Sequence, residues 1–363
     1  MIFNSLKLLN FRNLVNQELF FCEKVNFFVG ANAQGKTNLL EALYLLSLTK
    51  SFKTNNLGDL VNFNKESFVL NAVFTKNNYH YRLAFIYEHK ERQLLLNNKK
   101  INKLKDIFGL INIVIFVPDD LNLIKGVPGK RRKMFDIELS KINQEYFDAL
   151  GKYYYLLKQR NTYLKSSNLR SEILDVYDEQ MLKYGLIIYQ LRTDFILSFE
   201  PLLNKYYALL AGSDERVSIK YCSNYSADKE LCAMLVKNNR NKDIKTYQSN
   251  IGIHRDDYVF VLEHKEAKDY ASQGEQKSII LALKLALLEY IYNLTQDHPI
   301  LLLDDVLSEL DITRQENLFK LLNNKIQTFI TTTHLSGINS EIIDKSYVFQ
   351  VKQGYCERVD VDE

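Results

Sequence analysis

Apolar and polar positions change their period several times along this chain. Short apolar runs at Ile2 to Leu9, Gln17 to Cys22 and Val25 to Val29 are separated by turns and predict three strands. From Asn38 to Leu48 leucines and Ala42 recur at helical spacing, so a helix follows the third strand. Between Glu66 and Asn97, Phe68, Leu70, Ala72 and Phe74 alternate with polar residues, Asn77-Asn78 reads as a hairpin turn, and Tyr81 to Tyr87 returns. That segment is an antiparallel meander. Asn112 to Val117 is a buried-strand run ended by Pro118-Asp119-Asp120.

The period then becomes helical from Phe135 to Leu210, with a break at Ser166-Ser167-Asn168. In the second segment Met181, Tyr184, Ile188, Leu191, Phe195 and Leu202 follow a 3-4 spacing, which predicts an antiparallel helical pair with this stripe in its core. Gly212 to Asn250 is polar and ill-patterned, apart from a strand candidate at Val217 to Tyr221. Strand runs return at Tyr258 to Leu262, Ile300 to Leu303 and Thr328 to Thr332, with a helix at Ile279 to Ile291. These apolar runs suit a sheet covered on both faces. The pattern thus predicts an α/β lobe split in sequence, residues 1–120 and 250–363, around an inserted, mainly helical lobe of residues 121–249 with a helical arm.

Composition narrows the class. With 363 residues and 46% hydrophobic content the chain can bury a large core, and 25% charged residues exclude a disordered protein. A formal charge of +3 is too small to argue for nucleic acid unaided, so any such surface must come from local clustering. Lys125 to Lys133 carries five cations in nine residues. Lys130, Arg131, Arg132 and Lys133 are therefore candidates for phosphate-backbone contacts, against the alternative of a solvated face. Cys22, Cys222, Cys232 and Cys356 form no C-x-x-C pair and read as free thiols. No run approaches a membrane span in length, and Met1 to Asn10 lacks the pattern of a secretion signal, which sets the expectation of a cytoplasmic protein.

The densest chemistry lies between the third strand and its helix. Gly30-Ala31-Asn32-Ala33-Gln34-Gly35-Lys36-Thr37 satisfies G-x-x-x-x-G-K-[ST], a loop whose N–H groups wrap a phosphate chain at a helix N-terminus. Lys36 would neutralise β- and γ-phosphates, and Thr37 would ligate Mg²⁺. Far downstream, the strand ending in Asp304-Asp305 places Asp304 to hold the metal and Asp305 to orient or deprotonate a water. Ser272 and Gly274 open a helix and either cap it or present donors to an anion. His334, after the strand ending in Thr331-Thr332-Thr333, is placed for a γ-phosphate contact. Arg12, between two early strands, is either poised near the nucleotide or part of a surface turn.

The set GANAQGKT, SQGEQKS, LLLDDVLSELD and TTTH resembles the ABC-type ATPase head of SMC-like DNA-repair proteins. With LKLLNFRNL at the start, SFKT at Ser51 to Thr54, FVPDDLNLIKGVPGKRRKMFD at Phe116 to Asp136, KQRN at Lys158 to Asn161 and GIHRDD at Gly252 to Asp257, the chain resembles the RecF family over nearly its whole length. The resemblance implies an α/β ABC-type P-loop ATPase head with a mixed sheet, an antiparallel meander and the helical insertion. It implies ATP and Mg²⁺ as ligands, and an ATP-dependent homodimer on DNA at single-strand gaps. RecO and RecR would be partners in loading RecA, in gap repair, replication restart and SOS induction.

Carried over by position, the phosphate loop is Gly30 to Asn38, the signature facing the other subunit's γ-phosphate is Ser272 and Gly274, and Asp304 is the metal acid. Asp311 lies in the loop after that acid, and His334 is the switch histidine. Asp305 stands where most such heads have Glu, which is consistent with slow hydrolysis. Lys53 stands where Arg is commoner, near nucleotide or DNA. Val117 to Asp120 occupies the place of the usual inter-lobe glutamine loop. An ABC transporter ATPase subunit shares the motifs but predicts a shorter chain. A nuclease fusion would need grouped acids in a further domain, whereas the D-x-D here is Asp360-Val361-Asp362 at the tail.

Overall fold

In a computed structural model, residues 1–103, 106–107, 109–322 and 325–360 are described; Val361 and Asp362 lie outside them. The elements run β1 (Ile2–Leu9), β2 (Gln17–Phe20), β3 (Val25–Val29), α1 (Lys36–Leu48), β4 (Ser67–Lys76), β5 (Tyr79–Glu88), β6 (Glu91–Leu96), β7 (Lys99–Lys100), β8 (Ile113–Phe116), α2 (Asn122–Lys125), α3 (Pro128–Ile142), α4 (Gln144–Tyr163) and α5 (Ser171–Ala211). They continue β9 (Val217–Cys222), α6 (Lys229–Thr246), β10 (Asp257–Leu262), β11 (Lys265–Glu266), α7 (Ala267–Tyr270), α8 (Gln273–Thr295), β12 (Ile300–Asp304), α9 (Ile312–Leu322), β13 (Thr328–Thr332), α10 (Ser340–Ile343), β14 (Tyr347–Lys352) and β15 (Tyr355–Val359). The chain divides into two compact units: residues 1–120, 206–213 and 277–363, and residues 121–205 and 214–276. Residues 250–276, which the sequence pattern groups with the first lobe, thus fall in the second: β10 pairs antiparallel with β9 across the intervening α6, and that pairing keeps them there.

The first unit holds two sheets. One is antiparallel, in the order β2-β1-β4-β5-β6-β7, with the expected turn at Asn77 and Asn78, both at positive φ. The other runs β15-β14-β3-β13-β12-β8 and is parallel except for the β14–β15 hairpin. All five residues of β12 and of β13 are buried, as strands in a sheet covered on both faces should be. Gln327, just before β13, links the two sheets: its amide accepts from Phe3 N at 2.7 Å and donates to the Phe3 and Cys22 carbonyls at 2.8 Å each. By length and composition α8 is apolar enough to cross a membrane, but most of it is buried inside the protein. The four cysteines are free thiols.

In the second unit α4 and α5 run antiparallel, since Tyr146 meets Arg192 and Arg160 meets Asp178. The buried stripe of α5 is Met181, Ile188, Arg192, Phe195, Phe199 and Leu203, displaced by one residue from the expected Leu191 and Leu202 because a charged residue occupies a core position. Arg192 is completely buried. It donates to Asp136 Oδ1 (2.7 Å), Asp256 Oδ2 (2.7 Å), the Ile253 carbonyl (3.0 Å) and the Tyr146 hydroxyl (3.0 Å). Asp256 also accepts from the Tyr221 and Ser223 hydroxyls, so the buried charges are paired and bonded as their desolvation requires. The polar stretch expected to lack pattern contains α6, capped by the Asp228 side chain on Glu230 N and Leu231 N. Its buried positions are Cys232, Val236 and Asp243, too few and too polar to give a helical signal.

His254 sits in this unit with Nδ1 2.8 Å from the Tyr153 hydroxyl and Nε2 2.9 Å from the Ser249 carbonyl. The carbonyl requires Nε2–H, and the hydroxyl then donates to Nδ1, so the neutral ring fits both partners. Burial pushes its pKa down to about 4, with Arg255 and Arg132 adding to the effect. A histidine depressed on folding binds its proton in the unfolded chain first, so its stabilising contribution is complete above about pH 6.5 and is lost as pH falls towards 4. Denaturation of wild type and His254→Gln from pH 7.5 to 4.5 should show wild type losing about 2–3 kcal/mol more than the variant. Parallel pH profiles would remove His254 from that role.

Candidate nucleotide site

The loop from Gly30 to Gly35 leaves the carboxyl end of β3 and turns into α1 through Ala33 (φ 66°) and Gly35 (φ 112°). Gly30 has no room for a side chain: a Cβ there would lie 2.3 Å from the Val351 carbonyl oxygen of β14. The loop is held from its other side by the β14–β15 turn. Gly354 N donates to the Gln34 carbonyl (2.9 Å) and Gln353 N to Gln34 Oε1 (2.7 Å). Gly354 itself, at φ 77°, approaches the Asn13 carbonyl so closely that a Cβ would be 1.9 Å away. Sequence reasoning gave the 353–354 turn no role, because its contacts are main-chain and leave no motif.

The cleft beside the loop is lined by Asn32, Ala33, Gly35, Lys36, Thr37, Asn38, Lys53, Asp304, Asp305 and Thr331. The parallel register explains the convergence: β13 pairs with β3 through Thr332 and Val29, and with β12 through Thr331 and Asp304, so three strands end on one edge. Lys36 Nζ donates to the Gly30 and Ala31 carbonyls. Burial lowers its pKa, opposed by Asp305 and Asp304. Thr37 Oγ1 donates to Asp304 Oδ1 at 2.9 Å, and Thr331 Oγ1 lies 2.8 Å from the same oxygen. Burial raises the Asp304 pKa, while the two hydroxyls and Lys53 pull it down. Asp305 follows with φ 53°, its N–H on Thr331 Oγ1 at 2.9 Å.

Of the other expected residues, Lys53 lines this cleft and the rest do not. Arg12 is gripped by the buried Glu41 through two 2.9 Å bonds and donates to the Asp59 carbonyl at 2.8 Å, which fastens the turn it belongs to. His334 is exposed and bonds Ser336 Oγ through Nδ1 at 2.7 Å. Asp311 caps α9, accepting from Arg314 N at 2.9 Å, and pairs with the Arg314 side chain. Ser272 and Gly274 belong to the second unit, where Ser272 and Glu275 form a reciprocal capping box at the start of α8 (2.6 and 3.3 Å). Lys53 is on the cleft wall, donating to Asn38 Oδ1 at 2.9 Å.

The cationic run divides by helical geometry. Lys130 and Lys133 are exposed and Arg132 is half-buried, donating to the Asp256 carbonyl at 2.6 Å. Arg131 is buried. It forms a fork on Asp257 at 2.6 and 2.8 Å and donates to the Leu123 and Gly126 carbonyls, which corrects its expected place on a phosphate-binding face.

Comparison with known proteins accords with this architecture. The sequence matches the family described as RecF/RecN/SMC N terminal domain over residues 2–357. It is 38% identical over 359 residues to the DNA replication and repair protein RecF of Streptococcus gordonii, covering 96% of this chain and 98% of that one. To the protein of the same name from Clostridium botulinum it is 38% identical over 366 residues, covering 99% and 100%. A solved structure of the recombination mediator protein RecF with ATP, of the RecFOR pathway, superposes with a TM-score of 0.90 at 31% identity, covering 99% of this chain and 98% of that one. An Smc head bound to the C-terminal winged-helix domain of ScpA superposes at 0.58 with 14% identity, covering 99% and 98%, a likeness of fold. The ABC-type head with its mixed sheet, meander and helical insertion is therefore the fold expected from the motifs, and the chain belongs to the RecF family of SMC-like ATPases.

Proposed function

We propose that this chain binds ATP with Mg²⁺ in the cleft between the Gly30–Thr37 loop and Asp304, hydrolyses it slowly, and acts in the repair and replication of DNA. The observation that carries this reading is the 2.9 Å bond from the Thr37 hydroxyl to Asp304 beside Lys36, at the N-terminus of α1. Two hard oxygen groups so placed suit Mg²⁺, which would neutralise phosphate charge when bound. The loop's N–H groups and Lys36 would hold the phosphates, and Lys53, on the cleft wall, would add a second cation there. Asp305 would orient or deprotonate the attacking water.

The finer reading is a switch. Each site would be completed by Ser272 and Gly274 of a second protomer, with Asp311 and His334 joining when the heads meet and Arg12 supporting the loop region. The dimer would close on DNA near single-strand gaps, DNA would stimulate its weak turnover, and hydrolysis would release it. RecR and RecO would be cytoplasmic partners, acting indirectly on RecA. The likeness to the ATP-bound relative, a recombination mediator of the RecFOR pathway, supports these partners. A transporter subunit is not favoured, since the likeness to RecF proteins covers 96–99% of the chain.

Light scattering with ATP and Mg²⁺, with and without gapped duplex DNA, should show a monomer-to-dimer shift that Lys36→Ala abolishes. A Lys36→Ala chain that still dimerises with ATP would sink the switch. On DNA, Lys130→Ala or Lys133→Ala should lower the slope of log affinity against log salt by roughly one unit each. Arg131→Ala should instead cost about 1–3 kcal/mol of stability, because it removes the fork on the half-buried Asp257 and the donors to the Leu123 and Gly126 carbonyls. Unchanged slopes for both lysine variants would return that face to solvent.

A further inference from the structure

Thr331 lines the cleft beside the phosphate loop. It is fully buried in β13, and its hydroxyl touches both acids of the site. Backbone N–H groups only donate, so Thr331 Oγ1 must accept from Asp305 N at 2.9 Å. A hydroxyl has a single proton, which is therefore left for Asp304 Oδ1 at 2.8 Å. The direction of the whole chain is fixed: main chain of Asp305 to Thr331, Thr331 to Asp304.

That chain constrains each acid differently. Asp304 Oδ1 receives hydroxyls from two separate elements, Thr37 of α1 and Thr331 of β13, so the carboxylate cannot turn without losing both bonds. The orientation of its second oxygen follows. Asp305 lies at φ 53°, in the left-handed region that residues other than Gly, Asn and Asp avoid, and its N–H bond to Thr331 holds the strand end in that bend. Its Oδ1 is buried without a hydrogen-bond partner among the described residues, an acceptor left over within a site that the cleft reaches.

We infer that Thr331 is the positioning residue of this site, setting the Asp304 carboxylate for the metal and the Asp305 main chain for its carboxylate's task. This rests on the ATP reading above. Valine has the same shape and the same preference for strands, yet it can neither accept from Asp305 nor donate to Asp304. Burial keeps water from replacing the missing hydroxyl.

The test uses the full chain and a fluorescent ATP analogue, titrated once with Mg²⁺ and once with a chelator, together with steady-state turnover. Wild type should bind more tightly with Mg²⁺. Thr331→Val should keep its metal-free affinity, lose that Mg²⁺-dependent gain by about 10–100-fold, and turn over about 10–100-fold more slowly, as loss of a partner behind a metal ligand does. Thr331→Ser should restore both. A valine variant with wild-type Mg²⁺ response and turnover would overturn the inference, and so would one that loses metal-free binding equally, since that marks a damaged fold. A wild-type chain that binds no nucleotide would instead remove the ATP reading, and this inference with it.

Discussion

The site depends on the register of three parallel strands. Thr328 to Thr332 of β13 pair residue by residue with Val25 to Val29 of β3, while Asp304 of β12 lies opposite Thr331. A slip of one residue would turn Asp304 and Thr331 to opposite faces. The leucines of β12 and the aromatics of β3 are all buried in this alignment, and the close packing of their particular shapes opposes a slip. Polar groups at the carboxyl end of such a sheet are tolerable only when they bond one another, and the Thr37–Asp304–Thr331 cluster does so. Apolar packing and the functional cluster are thus two consequences of one alignment.

The second unit meets the cost of burial with charge. Arg192 with Asp136 and Asp256, Arg131 with Asp257, and Arg160 with Asp178 and Asp243 are buried or half-buried pairs that join segments distant in sequence. Ion pairs of this kind add little net stability over apolar packing, but breaking one leaves a stranded charge, so they penalise alternative arrangements. Several motifs that carry the family resemblance work here: Arg160 and Asn161 bind Ser249, and Asp256 and Asp257 receive Arg192 and Arg131. Their service is to the fold of a polar lobe with few apolar residues in α6.

This explains what the sequence discloses and what it conceals. The phosphate loop, the strands around it and the acidic pair are legible because each depends on local spacing: glycines at a turn, leucines at a helical period, acids after an apolar run. Arg192 is invisible to a hydrophobic pattern because it is the polar exception within it, and the stripe is read one residue out of place. Arg131 looks like its neighbours in a run of cations; only helical geometry separates the buried one from Lys130 and Lys133. Thr331 is masked differently. As a β-branched residue in a strand it satisfies propensity without any further role, and its partner Asp304 is 27 positions away.

Charge balance bears on the proposed dimer. Lys36 and Lys53 face Asp304 and Asp305 across the cleft, so the side chains of the site sum to no net charge. ATP with one Mg²⁺ would bring roughly two negative charges into that neutral, partly desolvated place, of which the N-terminus of α1 offsets about half a unit. The remaining deficit asks for further positive ends. In the proposed dimer the start of the partner's α8, at Ser272, would bring another helix N-terminus to the γ-phosphate. Loss of the γ-phosphate would remove the charge that rewards this approach, and the neutral site would have little reason to keep its partner.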